Sequence, residues 1–432
     1  MQKTRIAFLF KQFSRQLWVQ AASFAILGVA LVPLARWLGP VLPNGLERLT
    51  GANSVESILD ILATSMLAVT TFSLSIMVSA YSAATASVTP RAVLLLLQDR
   101  TSQTVLSTFI GAFLFSIVGM IALEADAFSR SGVVVLFFAT VCVIALVVVA
   151  LIRWIQHLTT FGRVDDTTKR VEVATTNALR ARASQPALGG IPAERLSPET
   201  GGQQVRASKT GYLCHVDMPK LMAVAKELAG ENARPQIQLA LLPGAFVHKA
   251  TVLATVPPQA TSDHLSAILE AFTVDEKRTF DQDPRFGLCV LAEIAERALS
   301  PAVNDPGTAI DVLGRVVRIL SAWTEQPPNE PEFPLIAVPT LKISDLFDDV
   351  FPPIAHDGAE KLSVQLRLQK ALLALAEVSP GDFGAECVTH SARAIEEAKK
   401  GNLTDDDLAR LQDVASDIRL AADAPRRPPH PL

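Results

Sequence analysis

Ile61-Leu-Ala-Thr-Ser-Met-Leu-Ala-Val-Thr-Thr-Phe-Ser-Leu-Ser-Ile-Met-Val-Ser-Ala-Tyr-Ser-Ala-Ala-Thr-Ala-Ser-Val-Thr-Pro90 runs for thirty residues without an Asp, Glu, Lys or Arg. At about 1.5 Å per residue, a helix of that length exceeds the roughly 30 Å hydrocarbon core of a bilayer. The stretch is not uniformly apolar, because hydroxyls recur at Thr64, Thr71, Ser75, Ser79, Ser82, Thr85 and Thr89. Steps of three, four and seven place them on one face of a helix. Two uses of that face are open. Small hydroxyl residues let membrane helices approach closely and return a hydrogen bond to their own backbone. Alternatively, Thr71, Ser75, Ser79 and Ser82 line a wetted pathway in which hydroxyls replace the hydration of an ion or solute.

Three further stretches match this one: twenty uncharged residues between Arg15 and Arg36, twenty-three between Arg100 and Glu124, and twenty-two between Arg130 and Arg153. Four spans are therefore expected, at about 17–38, 59–87, 104–123 and 132–154. Phe109, Gly111, Phe113, Ser116 and Gly119 give the third a face suited to close helix contact. The hydrophobic share of 49% and the positive mean hydropathy agree with this reading.

The charges orient the spans. Lys3, Arg5, Lys11 and Arg15 precede the first, Arg91 and Arg100 lie between the second and third, and Arg153, Arg163, Lys169 and Arg170 follow the fourth. The positive-inside rule then puts both termini and the 87–104 loop in the cytoplasm of a multi-pass protein of the bacterial inner membrane. Residues 1–16 read as a basic amphipathic lead and the first span as a retained anchor rather than a cleaved signal. Asn53 or Ser54 is expected to cap the second span. Thr89-Pro90-Arg91 should end it, with an interfacial helix running on to Asp99 and Arg100.

Beyond the fourth span, Gln156–Ala183 reads as a polar helix that prolongs it, and 185–204, rich in Pro and Gly, reads as a linker, so that 161–202 joins the 1–160 membrane domain to the rest of the chain. An α+β domain is expected over 203–325, with strands at Gly211–Val216 and Ile237–Leu242 and a hairpin turning at Pro243-Gly244 into Phe246–Val256. Four prolines in Pro327–Pro334 break the chain. A small helical module is expected over 335–424, its last helix capped by Thr404, and 425–432 forms a tail.

Net charge of −4 carries no basic excess, so nucleic acid is not an expected partner. Cys142, Cys214, Cys289 and Cys387 stand apart and read as reduced structural thiols. No phosphate loop, Gly-x-Ser-x-Gly elbow or His-Glu-x-x-His is present, so no catalytic, cofactor or metal residues are assigned. The densest polar run comprises Asp281-Gln-Asp283-Pro-Arg285, then Glu293, Glu296 and Arg297, then Ala298-Leu-Ser300-Pro301-Ala-Val-Asn304-Asp305-Pro306-Gly-Thr308-Ala309. It implies two helices around a tight turn, with Asp305 as an N-cap. Asp283, Glu293 and Asp305 have the chemistry for acid or base work or for a hard cation, but a hydrogen-bonded corner or subunit contact requires no catalytic partner.

Thr89-Pro90-Arg91, Asp99-Arg100 with Gln103, Leu106 and Phe109-Ile110-Gly111, Pro243-Gly244-Ala245-Phe246-Val247, Arg278-Thr279 with Gln282-Asp283-Pro284, and Arg297 to Ala309 together resemble a family of predicted bacterial integral membrane proteins, domain of unknown function 2254. The family usually has Ser where this chain has Thr89, a change that keeps the hydroxyl. The resemblance implies a bacterial cell-membrane protein with a cytoplasmic region and carries no activity with it. On the residues themselves, the expected function is a homo-oligomeric channel-like or transport-related protein with a cytoplasmic assembly or gating domain. The alternative is a membrane-anchored scaffold that binds a protein or small ligand. Pro90, Arg91, Asp99, Arg100, Asp283, Arg297, Ser300, Pro301, Asn304, Asp305, Pro306 and Thr308 are candidate structural or interface residues.

Overall fold

The computed structural model describes residues 17–38, 51–97, 99–195, 202–230, 234–325 and 327–424. The basic lead 1–16 and the tail 425–432 lie outside the described residues. The chain divides into two compact units, one holding the described residues up to Ala86 with Val93–Thr167, the other Ser87–Ala92 with the residues from Thr168 onward.

From the start of the described chain, helices α1 (Leu17–Leu38), α2 (Ala52–Ser87), α3 (Pro90–Leu97), α4 (Arg100–Glu124) and α5 (Arg130–Leu158) succeed one another. Ala52–Thr85, Arg100–Glu124 and Arg130–Leu158 are long and apolar enough to cross a membrane, while the apolar stretch of α1, Ala21–Ala35, is shorter. Leu59, Phe109, Phe115 and Leu136 are fully buried, whereas Phe72, Val78, Ile121, Phe138, Ile152 and Ile155 are exposed. Large apolar side chains on an outer surface suit a hydrocarbon solvent. The small-residue face of α4 packs as the sequence indicates. A Cβ on Gly111 would enter the Phe24 ring, and one on Gly119 would stand 3.0 Å from Leu59.

Two expectations change at the ends of these helices. The carbonyl of Gly51 accepts from the N–H groups of Ser54 and Val55, so α2 starts before Asn53 and Ser54, which occupy its first turn. Gln156–Ala183 does not prolong α5, because a turn intervenes before α6 (Val164–Ser184). Gly162 adopts φ +76° there, with the carbonyl oxygen of Ala80 3.2 Å from where its Cβ would be. A β-carbon is disfavoured on both counts.

The second unit contains two sheets. The first, ordered β1 (Gly190–Pro192), β8 (Phe333–Val338), β4 (Ile237–Leu239), β6 (Val252–Val256), β2 (Gln203–Arg206), has β8 parallel to both neighbours and the other pairs antiparallel. The second is the antiparallel β5 (Phe246–Val247), β3 (Gly211–Val216), β7 (Phe272–Asp275). Helices α7 (Met218–Ala229) and α8 (Ser262–Leu269) pack on their core with Leu221, Leu228 and Ile268.

The expected antiparallel pairing of Ile237–Leu242 with Phe246–Val256 forms only in its far part, β4 against β6, while β5 leaves it. Gly244, at φ +100°, turns the chain out of the first sheet so that β5 pairs with β3, and the turn closed by Thr251 N–H to the His248 carbonyl (2.7 Å) returns it as β6 beside β4. Part of the stretch read as a linker is strand β1, paired with β8; residues 196–201 of it lie outside the described residues. The proline-rich break ends inside β8. Pro334 fits there because the β1 register jumps from Phe333 to Ala337, leaving its position unpaired with β1.

Helices α9 (Pro284–Leu299) and α10 (Pro306–Ser321) form a hairpin. They are followed, beyond β8, by α11 (Ile343–Asp348), α12 (Phe351–Asp357), α13 (Leu362–Val378), α14 (Pro380–Lys400) and α15 (Asp405–Ala422). Thr404 caps α15 with a reciprocal bond from Asp407, as its position before three aspartates suggests.

Candidate functional site

On α2, Thr71, Ser75, Ser79 and Ser82 are all exposed. Leu59, Leu62, Met66 and Met77 are buried on the other side. The hydroxyl face is therefore not what packs α2 into its own bundle. Thr71 Oγ1 donates to the Leu67 carbonyl (2.9 Å) and Thr85 Oγ1 to that of Tyr81 (2.8 Å), so these hydroxyls close onto their own helix. Helical spacing continues the row upward to Asp60 and Glu56, both exposed. These two carboxylates lie just before the uncharged stretch that begins at Ile61, so a search for runs without charge passes over them.

The motif residues nearest the spans serve as anchors. Asp99, buried, caps α4 by accepting from the Ser102 N–H (2.7 Å) and hydroxyl (2.6 Å), and its Oδ2 stands 2.9 Å from His157 Nε2 near the end of α5. The pair ties the start of one apolar helix to the end of the next. Arg100, exposed, opens α4. Pro90 opens α3, and on either side of it Thr89 Oγ1 donates to Glu293 Oε2 (3.0 Å) while the Arg91 guanidinium pairs with Glu293 Oε1. Glu293 thus receives two donors from a motif about two hundred residues earlier in the chain.

Asp283 caps α9 by accepting from the Phe286 N–H (3.1 Å) and takes both prongs of the Arg278 guanidinium, at 2.7 and 3.0 Å. A Cβ on Gly244 would collide with this carboxylate, which explains a glycine at that turn beyond its positive φ. Arg297 Nε is buried without a hydrogen-bond partner among the described residues, while its carbonyl accepts from the Ser300 hydroxyl (2.6 Å) at the helix end. Pro301 to Asp305 are exposed, with Asn304 at φ +50°. Asn304 Oδ1 accepts from Lys361 Nζ (2.7 Å). Asp305 caps α10 through the Thr308 N–H (3.2 Å) and hydroxyl (2.6 Å), ahead of Pro306, and these bonds hold its carboxyl below the usual range. This turn borders an open cleft of about 650 Å³ shared with His356 and Lys400.

Asp283, Glu293 and Asp305, which have the chemistry for acid or base work, are thus each an acceptor in a separate structural corner. Among the described residues no group of three or more His, Cys, Asp and Glu gathers as a metal site. The four cysteines are free, and burial pushes the Cys387 thiol up to about 12.

Sequence reading missed the inner face of α6. Glu172, Thr175, Leu179 and Arg182 recur at helical spacing and turn inward. Glu172 accepts from Arg315 (2.8 Å) and from Arg318 (2.6 and 3.1 Å) on α10. Burial raises its pKa, but these bonds outweigh that and hold it below the usual carboxylate range. Gly287 of α9 lies so close to Thr175 that a Cβ would overlap it. Farther along the same face, Arg182 is buried. The same residues in an isolated polar helix carry no signal of this, since a charged helix face is ordinarily solvated.

A profile described as predicted membrane protein (DUF2254) matches residues 14–374. An uncharacterised protein of Mycobacterium bovis is 29% identical over 232 residues, 50% of this chain and 42% of the relative, and one of Mycobacterium tuberculosis matches to the same extent. The chain thus spans about two fifths of the length of these relatives. No solved structure matches. With its motifs placed and most of its length matched, the chain belongs to the DUF2254 family of predicted membrane proteins.

Proposed function

We propose that the protein is an oligomeric, channel-like or transport-related protein of the bacterial inner membrane. In this reading α1 is a fourth span, both termini are cytoplasmic, and the hydroxyl faces of α2 from several copies surround a pathway. The observation that carries it is the outward direction of Thr71, Ser75, Ser79 and Ser82, away from the buried Leu59–Met77 side of the same helix. A face unused within one copy is available to another. Asp60 and Glu56 at the head of the row favour a cation as the transported species, because a ring of carboxylates concentrates cations at a pore mouth. The second unit then assembles or gates the pathway, and the hold of Glu293 on Thr89 and Arg91, directly after α2, is the handle it would use.

Reconstitution in liposomes tests this. Cation flux is expected from the native protein, falling at least about tenfold when Ser75→Leu and Ser79→Leu remove the polar row. Flux that the double variant leaves unchanged would remove the α2 face from the pathway. The second reading, a membrane-anchored scaffold that binds a small ligand, is favoured by a pocket of about 430 Å³ that Arg182 lines together with Arg278, Asp283 and Arg285.

A further inference from the structure

Arg182 is 3% exposed, and its guanidinium offers five N–H donors. One of them, on Nη2, reaches the Gln282 carbonyl at 2.8 Å. No carboxylate lies within ion-pair distance of it among the described residues. The nearby Asp283 is already engaged by Arg278 and by the α9 backbone. Burial without a close counter-ion pulls the Arg182 guanidinium down to about 10. An arginine that folding desolvates without pairing is costly, and such a residue persists where something else supplies the counter-charge.

The structure shows where that counter-charge fits. Arg182 lines a pocket of about 430 Å³ between the Leu241–Ala245 turn, the start of α9 and the Pro339–Lys342 segment that leads into α11. Arg278, Arg285 and Lys342 line it too, against the carboxylates of Asp283 and Asp345. Asp283 takes up Arg278, and Asp345 and Asp349 take up Arg285, which leaves the Arg182 guanidinium and Lys342 to meet an anion. Arginine forks match phosphate oxygens in pairs. Leu241, Leu242, Pro243 and Leu341 give the pocket an apolar wall, and its volume is that of a small-molecule site.

We propose that this pocket binds the phosphoryl group of a small soluble phosphate ester, with the Arg182 guanidinium as its principal partner and Lys342 at the rim. The apolar wall takes the organic part of the ester. Occupation would lock the Gly244 turn, α6 and α9 together, which makes the pocket a sensing site in the second unit. The proposal stands independently of the pathway read from α2.

The test uses the full-length protein in detergent, titrated calorimetrically with inorganic phosphate and with adenosine monophosphate at constant ionic strength, alongside thermal unfolding. Native protein should bind at least one probe saturably and unfold at a higher temperature when it is present. Arg182→Met should weaken that binding by about tenfold or more, since a charge-assisted hydrogen bond is lost, while its ligand-free melting temperature stays level or rises because an unpaired buried cation has gone. Lys342→Ala, at an exposed position, should weaken binding about three- to tenfold without altering ligand-free melting, and it decides the matter if the Arg182 variant does not fold. Two results would overturn the proposal. One is no saturable binding of either probe to folded native protein up to about 10 mM, beyond the range of a useful site. The other is binding that the folded variants leave unchanged, in which case Arg182 serves only to hold the Gln282 carbonyl.

Discussion

His390 shows how burial alone sets the behaviour of one side chain. It is 2% exposed between the rings of Phe347 and Phe351, and its Nε2 has no hydrogen-bond partner among the described residues. Asp348 and Glu386 stand 3.6 and 3.8 Å from it, with Arg393 nearby. Burial outweighs the pull of Asp348 and lowers the imidazole to about 4. The unfolded chain takes up this proton near pH 6.5, whereas the folded one resists until about 4. Protonation therefore favours unfolding: stability is unaffected by this group above pH 6.5, declines as pH falls from 6.5 to 4, and levels off below that. The difference is on the order of 3 kcal/mol. Denaturant unfolding of the native protein and of His390→Leu between about pH 7.5 and 4 should show the extra decline in the native protein alone. Nothing in the local sequence Val388-Thr-His390-Ser reveals this, because the apolar shell comes from α11 and α12. By contrast, Asp305 is read as a cap from the sequence, and Asp283, which the structure adds as a cap, carries the same signal, since Asp before Pro at a helix start needs no distant partner.

Single close approaches decide how whole helices meet. α1 lies along α4 where Gly111 leaves room for the Phe24 side chain down to its Cβ. Gly111→Ala would force Phe24 and its backbone away, at a cost of about 1–3 kcal/mol, read as a lower midpoint in denaturant titration of the detergent-solubilised protein. Gly28→Ala, where Val118 Cγ1 would lie 3.0 Å away, should cost less because that contact is to the tip of a side chain. In the α13–α14 seam the fixing element is polar. Gln369 Nε2 donates to the Ser391 carbonyl (3.1 Å), and the Ser391 hydroxyl donates to Gln369 Oε1 (2.6 Å), both side chains being buried. Ser391→Ala leaves the amide oxygen unpaired and should cost about 1–3 kcal/mol in the same measurement, whereas Thr389→Ala on the exposed face should cost less than about 0.5 kcal/mol. Helical spacing made these helices legible. It did not indicate that two glutamines, Gln365 and Gln369, would be fully buried among them, since that depends on donors and acceptors brought in by other elements.

For the whole molecule, the distribution of Lys and Arg sets an expected topology. A reporter fused after Leu432 should be active only as a cytoplasmic form, and a periplasmic signal there would reverse the assignment of both termini. The long uncharged runs of α2, α4 and α5 were evident from composition alone, because no soluble helix needs that length of apolar surface and a bilayer does. The Asp305 and Thr404 caps, the apolar spacing of α13 to α15 and strands β3 to β6 were likewise present in the sequence as local chemistry, whereas β1, β2, β7 and β8 were not. Tertiary structure decided what is non-local. It set which strand pairs with which, so that Gly244 separates β5 from β4 and the Pro334 segment becomes the parallel neighbour of β1 and β4. It brought Thr89 and Arg91 to Glu293, turned the hydroxyl face of α2 outward, and buried Arg182 with only the Gln282 carbonyl as its hydrogen-bond partner among the described residues. Periodicity specifies the faces of an element, but the partner of each face depends on contacts between residues far apart in the chain, whose geometry is fixed only once the elements pack.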